Sequence, residues 1–553
     1  MDLFMKKKTL YAIILGASMS AASCTSFLDM TPTDSTSDRL VWSTVEYAEL
    51  AVNDFYRYID YLSGFNTGQC LAGMTEALTD QLKYGSYNYN SYCRISSEIA
   101  YGGAVLTASY VDTYLGNWST MYEYIRRVNE GIYNLHRYGT FDPADMERIE
   151  AEMRFFRGFL YTDLIKRYKD VIIYNEDLTS ITRDKNVTPE AECWNFVYSD
   201  LMYAAEHLPS GTDPDGRLTS GAAYALLSRA MLYAERWSDA KTAAEAVMAM
   251  GYDLEPNYAD AFRQGSIEAI LQYSYNSSTS VTHSFDGYMA PGGDRALDGN
   301  SMTGGYGTPT QEMVESYELA EGGFPDWSPW HTGEGTDQTP PYSRLEPRFA
   351  ATVLYNGAQW KGRTIETFVN GTDGFAQWMT DASPEGRTVT GYYLRKLVDE
   401  THSFRTVQAS TQPWTELRLA EVILNHAEAS FRSGDEASAN ADVRRIRQRV
   451  GLPYSDLSGE SLMAAIRQER KVELAFEGHY YWDMRRWRLA ETAFTGIRLH
   501  GMRIEQNATG GYVYTIVECD DQNRNFPSKM YRCPIPQSEL NNNGLISQFP
   551  EWN

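Results

Sequence analysis

Apolar residues recur at three- and four-residue spacing in two separate parts of the chain. In the first part, at about 45–250, Trp118, Tyr122 and Ile125 begin one series, and Phe155 and Phe159 belong to another. This spacing places apolar side chains on one face of a helix. The pattern therefore predicts a run of amphipathic helices, each with one apolar stripe to bury against a neighbour. A stretch at about 63–103, dense in Gly, Asn and Tyr, is predicted to be mainly loop.

Two of the predicted helices, at 222–234 and 240–250, are separated by a short polar turn. Small residues such as Ala240 and Ala243 permit close approach of the two helices, and Trp237 covers the seam. The pair resembles a tetratricopeptide helix-turn-helix, although no strict repeat period runs through the chain. The sequence predicts tetratricopeptide-like pairs without a regular array.

The pattern changes between the two helical parts, at about 255–415. Gly, Pro, Asp, Ser and Tyr dominate there, and short apolar segments such as 269–273 are typical of brief strands or buried loops. A long irregular stretch within a compact chain is usually functional or disordered. Its many aromatic residues argue against disorder. We expect an ordered, loop-rich, ligand-binding portion.

Helical periodicity returns at about 415–490. Three predicted helices, at 417–431, 437–450 and 462–476, are separated by glycine-containing stops. The predicted fold is therefore mainly α, with tetratricopeptide-like helix pairs packed against a loop-rich portion that contains a few short strands. We expect residues 45–553 to form a single domain.

The N-terminus has the order of a bacterial lipoprotein signal. Basic residues at 6–8 precede a short apolar run at 10–17, and Ala21, Ala22 and Ser23 lead directly into Cys24. This order predicts a signal peptide over 1–23 and lipidation of Cys24, although Ala21 replaces the leucine that is commoner at that position. Residues 24–44 are predicted to be a tether. No other apolar run is long enough to span a bilayer, so the lipid is the only predicted membrane contact.

Composition and charge exclude several kinds of function. The formal net charge of -24 disfavours nucleic acid and, less strongly, anionic polymers, because a local basic patch can still lie on an acidic protein. The six cysteines and eight histidines have no metal-binding spacing, and no Walker loop or serine elbow occurs. We expect no enzymatic activity, no bound metal and no cofactor, with a structural calcium ion held by loop carboxylates left open.

The second helical part carries a family resemblance. Residues 416–429 (ELRLAEVILNHAEA), 473–478 (ELAFEG) and 481–487 (YWDMRRW) resemble the strongest motifs of the SusD/RagB family in order, spacing and residue type. The resemblance implies an outer-membrane, cell-surface lipoprotein of a Gram-negative bacterium of Bacteroidetes type. It also implies a partner, a SusC-like TonB-dependent transporter, which the helical pairs face while glycan lies on the loop-rich side.

Charged residues in these motifs occur at helical spacings that favour ion pairs. We expect them to fix how helices dock and not to contact ligand; they are Glu469, Arg470, Glu473, Glu477, Asp483, Arg485 and Arg486.

Glycan recognition requires aromatic faces for the sugar ring and polar side chains for its hydroxyls. Two loop regions contain both, and the predicted glycan-binding residues are Asp80, Tyr84, Tyr87, Tyr89, Tyr92, Tyr288, Asp294, Arg295, Trp327 and Trp330. The sequence predicts capture of an oligosaccharide or polysaccharide. Import of peptides on the same architecture is the first alternative, and a tetratricopeptide-type scaffold is the second.

Overall fold

The structure is a computed structural model, and it describes residues 38–65, 75–85, 91–179, 184–211, 216–294, 304–377, 386–402 and 410–553. Within these ranges no helix combines the length and apolarity that crossing a bilayer requires.

Nine helices, numbered here within the described ranges, form the first helical part. They are α1 (Val45–Asn53), α2 (Arg57–Leu62), α3 (Ser91–Tyr101), α4 (Ala108–Leu115), α5 (Trp118–Tyr138), α6 (Pro143–Tyr168), α7 (Glu190–His207), α8 (Ser220–Tyr233) and α9 (Trp237–Met248). Side-chain caps begin several of them, since Thr44, Asp142 and Thr219 each accept a backbone N–H of the first turn. Consecutive helices from α5 to α9 pack against one another.

Helix α6 differs from the single-stripe expectation. Between Ile149 and Tyr168 every residue except Arg154 and Lys166 is buried. The helix is enclosed because α1, α5 and α7 all pack against it. Its polar side chains are accommodated by ion pairs, as where Arg157 Nε donates to Asp200 at 2.7 Å. The prediction of one apolar stripe is wrong for this helix.

The rest of the chain contains short helices in the loop-rich portion and a second helical part. The short helices are α10 (Phe285–Met289), α11 (Gln311–Val314) and α12 (Pro347–Thr352). They are followed by α13 (Leu419–Arg432), α14 (Glu436–Arg449), α15 (Gly459–Glu473), α16 (Tyr480–Arg486), α17 (Ala490–Phe494) and α18 (Gln537–Asn542). Helix α13 joins the two helical parts, because it packs on α8 and α9 as well as on α14 and α15.

Strands are short and form five antiparallel pairs in the described part of the chain. The pairs are β1 (Leu82–Tyr84) with β3 (Gly307–Pro309), β2 (Ala269–Tyr273) with β8 (Trp414–Arg418), β4 (Val353–Leu354) with β7 (Tyr393–Leu394), β5 (Gln359–Trp360) with β6 (Arg363–Thr364), and β9 (His500–Gln506) with β10 (Tyr512–Glu518). The mainly helical fold with a few short strands is confirmed.

The loop prediction for 63–103 is wrong in part. Helix α3 and strand β1 lie within that stretch. Among the described side chains of α3, the buried ones are Ile95, Ile99 and Ala100 together with Ser96 and Ser97. Because serines share the buried side with the apolar residues, the helix produces no clear hydrophobic period in sequence.

A buried ion-pair network joins α15 to the strands and to α12. Arg418 pairs with Glu268, Glu473 and Glu477 at N–O distances of 2.6, 2.8 and 2.6 Å, and Arg348 pairs with Glu469 at 2.8 Å. Six of the seven charged residues for which pairing was predicted form ion pairs, so that expectation is confirmed for them. The exception is Arg485.

Candidate functional site

A cleft of about 490 Å³ opens between α2, α5 and the segment that precedes α10. We call it the tyrosine cleft. Its lining residues are aromatic, charged or hydroxyl-bearing almost throughout: Asp54, Arg57, Tyr58, Asp60, Tyr61, Phe65, Glu123, Tyr124, Arg127, Thr282, His283 and Ser284.

Three tyrosine rings shape one wall of the tyrosine cleft. Tyr58 stacks on Tyr124 with ring centroids 4.2 Å apart and an interplanar angle of 18°. Tyr61 stands at 89° to Tyr124, with centroids 5.4 Å apart. Tyr58 is buried, whereas Tyr61 and Tyr124 are half-buried. The two half-buried rings therefore form a corner of two perpendicular aromatic surfaces.

Charged groups surround this corner. Arg57 pairs with Asp54 at 3.0 Å on one side, and Arg127 pairs with Glu123 at 2.8 Å on the other. Both pairs are exposed enough to exchange partners with a ligand, because surface ion pairs are weakly held. The rim can thus donate hydrogen bonds through guanidinium groups and accept them through carboxylates.

Two buried rings, Phe65 and His283, lie at the base of the tyrosine cleft. The His283 ring stacks on Phe65 with centroids 4.3 Å apart. Its Nε2–H donates to the Gln412 carbonyl at 2.9 Å, and its Nδ1 accepts from the Phe285 N–H at 3.2 Å. Burial lowers the pKa of His283 below its ordinary value, because the imidazolium form would lose hydration. This histidine is therefore neutral at neutral pH, with one fixed tautomer.

The two loop regions singled out in the sequence meet through the β1–β3 pair. Tyr84 lies opposite Gly307, and the Gly85 N–H donates to the Tyr306 carbonyl at 2.7 Å. Tyr288 contacts Tyr306 with centroids 4.8 Å apart and the rings tilted by 31°, and both rings are half-buried. Tyr288 also lies one helical turn from Ser284 of the tyrosine cleft, since its N–H donates to the Ser284 carbonyl. The Tyr288–Tyr306 pair therefore lies near the tyrosine cleft along the chain, although neither residue is among those that line it.

Three other predicted glycan-binding residues are either buried or paired with neighbouring side chains. Asp80 pairs with Lys471 at 2.9 Å. Tyr84 is buried in β1. Asp294 is buried as well; it accepts from Trp360 Nε1 at 2.8 Å and from Arg363 at 2.6 Å. Burial raises the pKa of Asp294, against the opposing effect of these donors.

Trp327 and Trp330 are packed in the core and do not form an open platform. Their side chains are 6% and 3% exposed, and their ring centroids lie 5.5 Å apart. Trp330 Nε1 donates to the Gln338 carbonyl at 2.8 Å, and the Trp327 ring faces Tyr342. The expectation of exposed stacking faces here is corrected, because the 3₁₀ turn Ser328–Trp330 folds both indoles inward.

Several predicted residues lie outside the described residues: Cys24, Tyr87, Tyr89 and Arg295. Tyr92 belongs to α3, but its side chain is not described. Ligand contact at all ten predicted positions stays a prediction.

Sequence reasoning missed Tyr61 and Tyr124. Both lie in regular helices, where aromatic residues are usually part of the core. One signal was available, because Tyr124 falls outside the apolar stripe of α5 that Trp118, Tyr122 and Ile125 define. A large aromatic side chain on the polar face of a helix is a reason to suspect a binding surface.

Metal and thiol chemistry have little support in the described residues. These ranges contain no group of three or more His, Cys, Asp or Glu side chains arranged to hold a metal ion. Cys193, Cys519 and Cys533 are buried free cysteines, and burial raises the pKa of Cys193 to about 12. A thiol with so high a pKa is a poor nucleophile.

The fold and the cleft together define the class of the protein. It is a mainly helical protein of tetratricopeptide-like pairs, with an aromatic cleft at the edge of a loop-rich portion. Sequence comparison identifies the family. The profile described as the SusD family matches residues 267–552, and one described as "Starch-binding associating with outer membrane" matches residues 27–232. The chain belongs to the SusD family, as its motifs indicated.

Individual relatives agree. The chain is 23% identical to SusD-like protein P2 of Formosa agariphila over 79% of this chain and 80% of that protein. A crystal structure of a SusD-like protein from Bacteroides fragilis shares 26% identity with a TM-score of 0.77, covering 92% of this chain and 98% of the other. A SusD-like carbohydrate binding protein from Bacteroides fragilis shares 22% identity with a TM-score of 0.75, covering 92% and 100%. The last likeness concerns the fold alone.

Proposed function

We propose that this chain is a cell-surface lipoprotein that binds an oligosaccharide or polysaccharide in the tyrosine cleft and delivers it to a SusC-like, TonB-dependent outer-membrane transporter. The observation that carries the proposal is the corner formed by Tyr61 and Tyr124, with arginine and carboxylate groups around it. Family membership adds support, since a relative of the same fold is named a carbohydrate binding protein.

The corner suits the two kinds of surface that a sugar presents. The apolar C–H face of a pyranose packs on an aromatic ring, while its hydroxyls project sideways toward donors and acceptors. Arg57 and Arg127 supply donors, and Asp54 and Glu123 supply acceptors. The Tyr288–Tyr306 pair supplies a further aromatic surface for the next sugar units of a chain.

A binding role without catalysis is part of the proposal. Glycoside hydrolysis usually needs two carboxyl groups, one of them kept protonated by its surroundings. Around the tyrosine cleft, Asp54 and Glu123 are ion-paired with arginines, and Asp60 accepts a hydrogen bond from the Tyr275 hydroxyl at 2.5 Å. These carboxylates are thus engaged by donors of the protein, and their remaining lone pairs suit them to accept hydrogen bonds from sugar hydroxyls.

The lipoprotein signal in the sequence and the outer-membrane description of the matching profile support the proposed location. If Cys24 carries the lipid, the Cys24→Ala variant is released from the outer membrane into the soluble fraction, whereas wild type sediments with membranes. If the protein delivers glycan to a SusC-like transporter, it should co-purify with that transporter after mild detergent extraction. Absence of such a transporter from the co-purified proteins would contradict the delivery step while leaving glycan binding intact.

Isothermal titration tests the binding site directly. The purified protein is titrated with neutral polysaccharides, acidic polysaccharides and a peptide digest. We expect heat with at least one glycan, and Tyr124→Ala and Tyr61→Ala each weaken binding by about 2- to 12-fold, since an aromatic contact is worth about 0.5–1.5 kcal/mol. Tyr47→Ala is the control, because Tyr47 is exposed on α1 and does not line the cleft. Heat with peptides alone would favour peptide import, and glycan binding unaffected by both variants would place the site elsewhere.

A further inference from the structure

A second, larger cleft of about 670 Å³ lies on the helical side of the molecule. It opens between α6, α7, the α8–α9 turn and α16. We call it the basic cleft. None of its lining residues belongs to the tyrosine cleft, so the two are separate. Its size lies within the range typical of small-molecule sites.

The charge of the basic cleft is opposite to that of the whole protein. Six lining residues are basic and two are acidic: Lys166, Lys169, Arg432, Arg485, Arg486 and Arg488, with Glu190 and Glu235. The chain as a whole carries a net charge of -24. A concave site in which one sign of charge predominates concentrates the field and attracts counter-ions. The basic cleft is thus suited to an anion that most of the protein surface repels.

Arg485 is the residue that points to a ligand. Its side chain is 5% exposed, and none of its three guanidinium nitrogens has a hydrogen-bond partner among the described residues. The neighbouring Arg486, by contrast, pairs with Glu428 at 2.6 Å and with Asp483 at 2.8 Å. A buried guanidinium without an acceptor is unfavourable. Because Arg485 lines the basic cleft, an anion bound there would supply the missing acceptor.

Aromatic rings alternate with the cations. The Arg485 guanidinium lies 4.6 Å from the Trp482 ring centroid, and Arg486 lies 4.8 Å from that of Trp487. Arg432 lies 5.5 Å from the Trp237 ring centroid. The Trp237 and Trp487 rings are half-buried at the cleft surface. The cleft thus offers flat apolar faces beside positive charge.

We propose that the basic cleft binds an acidic sugar, with the carboxylate of a uronic acid on Arg485 and the sugar ring against Trp237 or Trp487. A guanidinium presents two parallel N–H groups that match the two oxygens of a carboxylate. An indole matches the apolar face of a pyranose. A uronic acid carries both a carboxylate for the guanidinium and a pyranose ring for the indole. This site does not depend on the tyrosine cleft for its ligand.

Titration with defined oligosaccharides tests the proposal. Trigalacturonate, the neutral maltotriose and an aspartate-containing dipeptide are titrated separately at low salt, with tryptophan fluorescence as a second readout. Trigalacturonate is expected to bind at least about tenfold more tightly than the other two, because only it carries both a ring and a carboxylate. Equal binding of maltotriose, binding of the dipeptide alone, or no binding of trigalacturonate would each overturn the proposal.

Matched variants locate the site. Arg485→Gln is expected to weaken trigalacturonate binding by at least about tenfold, and Arg126→Gln, an exposed arginine on α5, by less than about twofold. Tyr124→Ala is expected to leave this binding unchanged. If Arg485→Gln fails to fold, the double variant Arg432→Gln with Arg488→Gln, at more accessible positions, should still weaken binding by at least about fivefold. Undiminished binding in these cleft variants would overturn the assignment.

Discussion

Arg418 is expected to be among the most important single side chains for stability. It is fully buried at the end of β8, where its guanidinium donates to Glu268, Glu473 and Glu477 and to a backbone carbonyl. These contacts join strand β8, the base of β2 and the C-terminal end of α15. Replacement by methionine preserves much of the volume but removes the charge and every donor.

The expected loss can be worked out from the remaining partners. Breaking a buried ion pair by removing one partner costs about 3–5 kcal/mol, because the other charge is left uncompensated. Each carboxylate retains a second cation, however: Glu477 keeps Lys396 at 2.7 Å, while Glu268 and Glu473 keep Arg449. The three losses therefore do not add. We expect Arg418→Met to lower the free energy of unfolding by about 3–5 kcal/mol in total.

Urea denaturation followed by circular dichroism measures this loss. The control is Arg444→Met, since Arg444 forms an exposed pair with Asp456, and it should cost less than about 1 kcal/mol. Arg418→Lys should be intermediate, because lysine keeps the charge but not the planar arrangement of donors. A loss below about 1 kcal/mol for Arg418→Met would refute the view that the network holds the strands to the helices.

Three further predictions concern backbone geometry and protonation. Gly391 has φ of +79°, and a Cβ there would lie 2.1 Å from a backbone oxygen. Gly391→Ala should therefore lower the free energy of unfolding, measured by thermal unfolding, by at least about 3 kcal/mol. The control is Gly510→Ala, with φ of +83° and open space around the Cβ, which should lower it by about 1 kcal/mol. Burial raises the pKa of Glu76 to about 7, so wild type loses stability as the pH rises from about 4.5 through 7. Glu76→Gln should therefore melt at a higher temperature than wild type, and this difference should grow between about pH 5 and 8. The corresponding gain in free energy of unfolding is as much as about 3 kcal/mol. In selectively ¹³C-labelled protein, His136 should titrate above its ordinary pKa, because of its hydrogen bond to a glutamate, and His283 below it, because of burial.

Each of these three predictions has a result that would contradict it. Equal cost of the two glycine substitutions would mean that the backbone around Gly391 relaxes. A melting difference for Glu76→Gln that does not change with pH would show that the carboxyl is not ionising within this range. Coincident titration of His136 and His283 would contradict the environments described for them.

Strong periodicity made the second helical part predictable. The predicted helix at 417–431 corresponds to α13, and those at 437–450 and 462–476 correspond to α14 and α15, with ends displaced by up to three residues. Each has apolar residues at helical spacing followed by a glycine or polar stop, and these are local signals that sequence alone can reveal. The short apolar run at 269–273, predicted to be a brief strand or a buried loop, is the strand β2.

The candidate site was less predictable because it depends on distant residues. Tyr61, Tyr124 and His283 form one cleft, although they come from two helices and a loop far apart in sequence. A local sequence pattern does not predict which faces of distant helices will pack against one another. The same limit explains Trp327 and Trp330: a loop sequence rich in tryptophan does not reveal whether the turn directs the indoles toward solvent or toward the core.

The pairing of β2 with β8 has an evolutionary consequence. Ala269 lies opposite Arg418, so the intervening loop-rich portion leaves the helical scaffold and returns to it at one antiparallel pair. The entropy cost of closing a flexible loop rises only by about 0.6 kcal/mol for each doubling of its length. Insertions and deletions in exposed turns between the two strands therefore place little burden on the helices, and a lineage can exchange such turns while it keeps the scaffold and the segment that Arg348 anchors to α15.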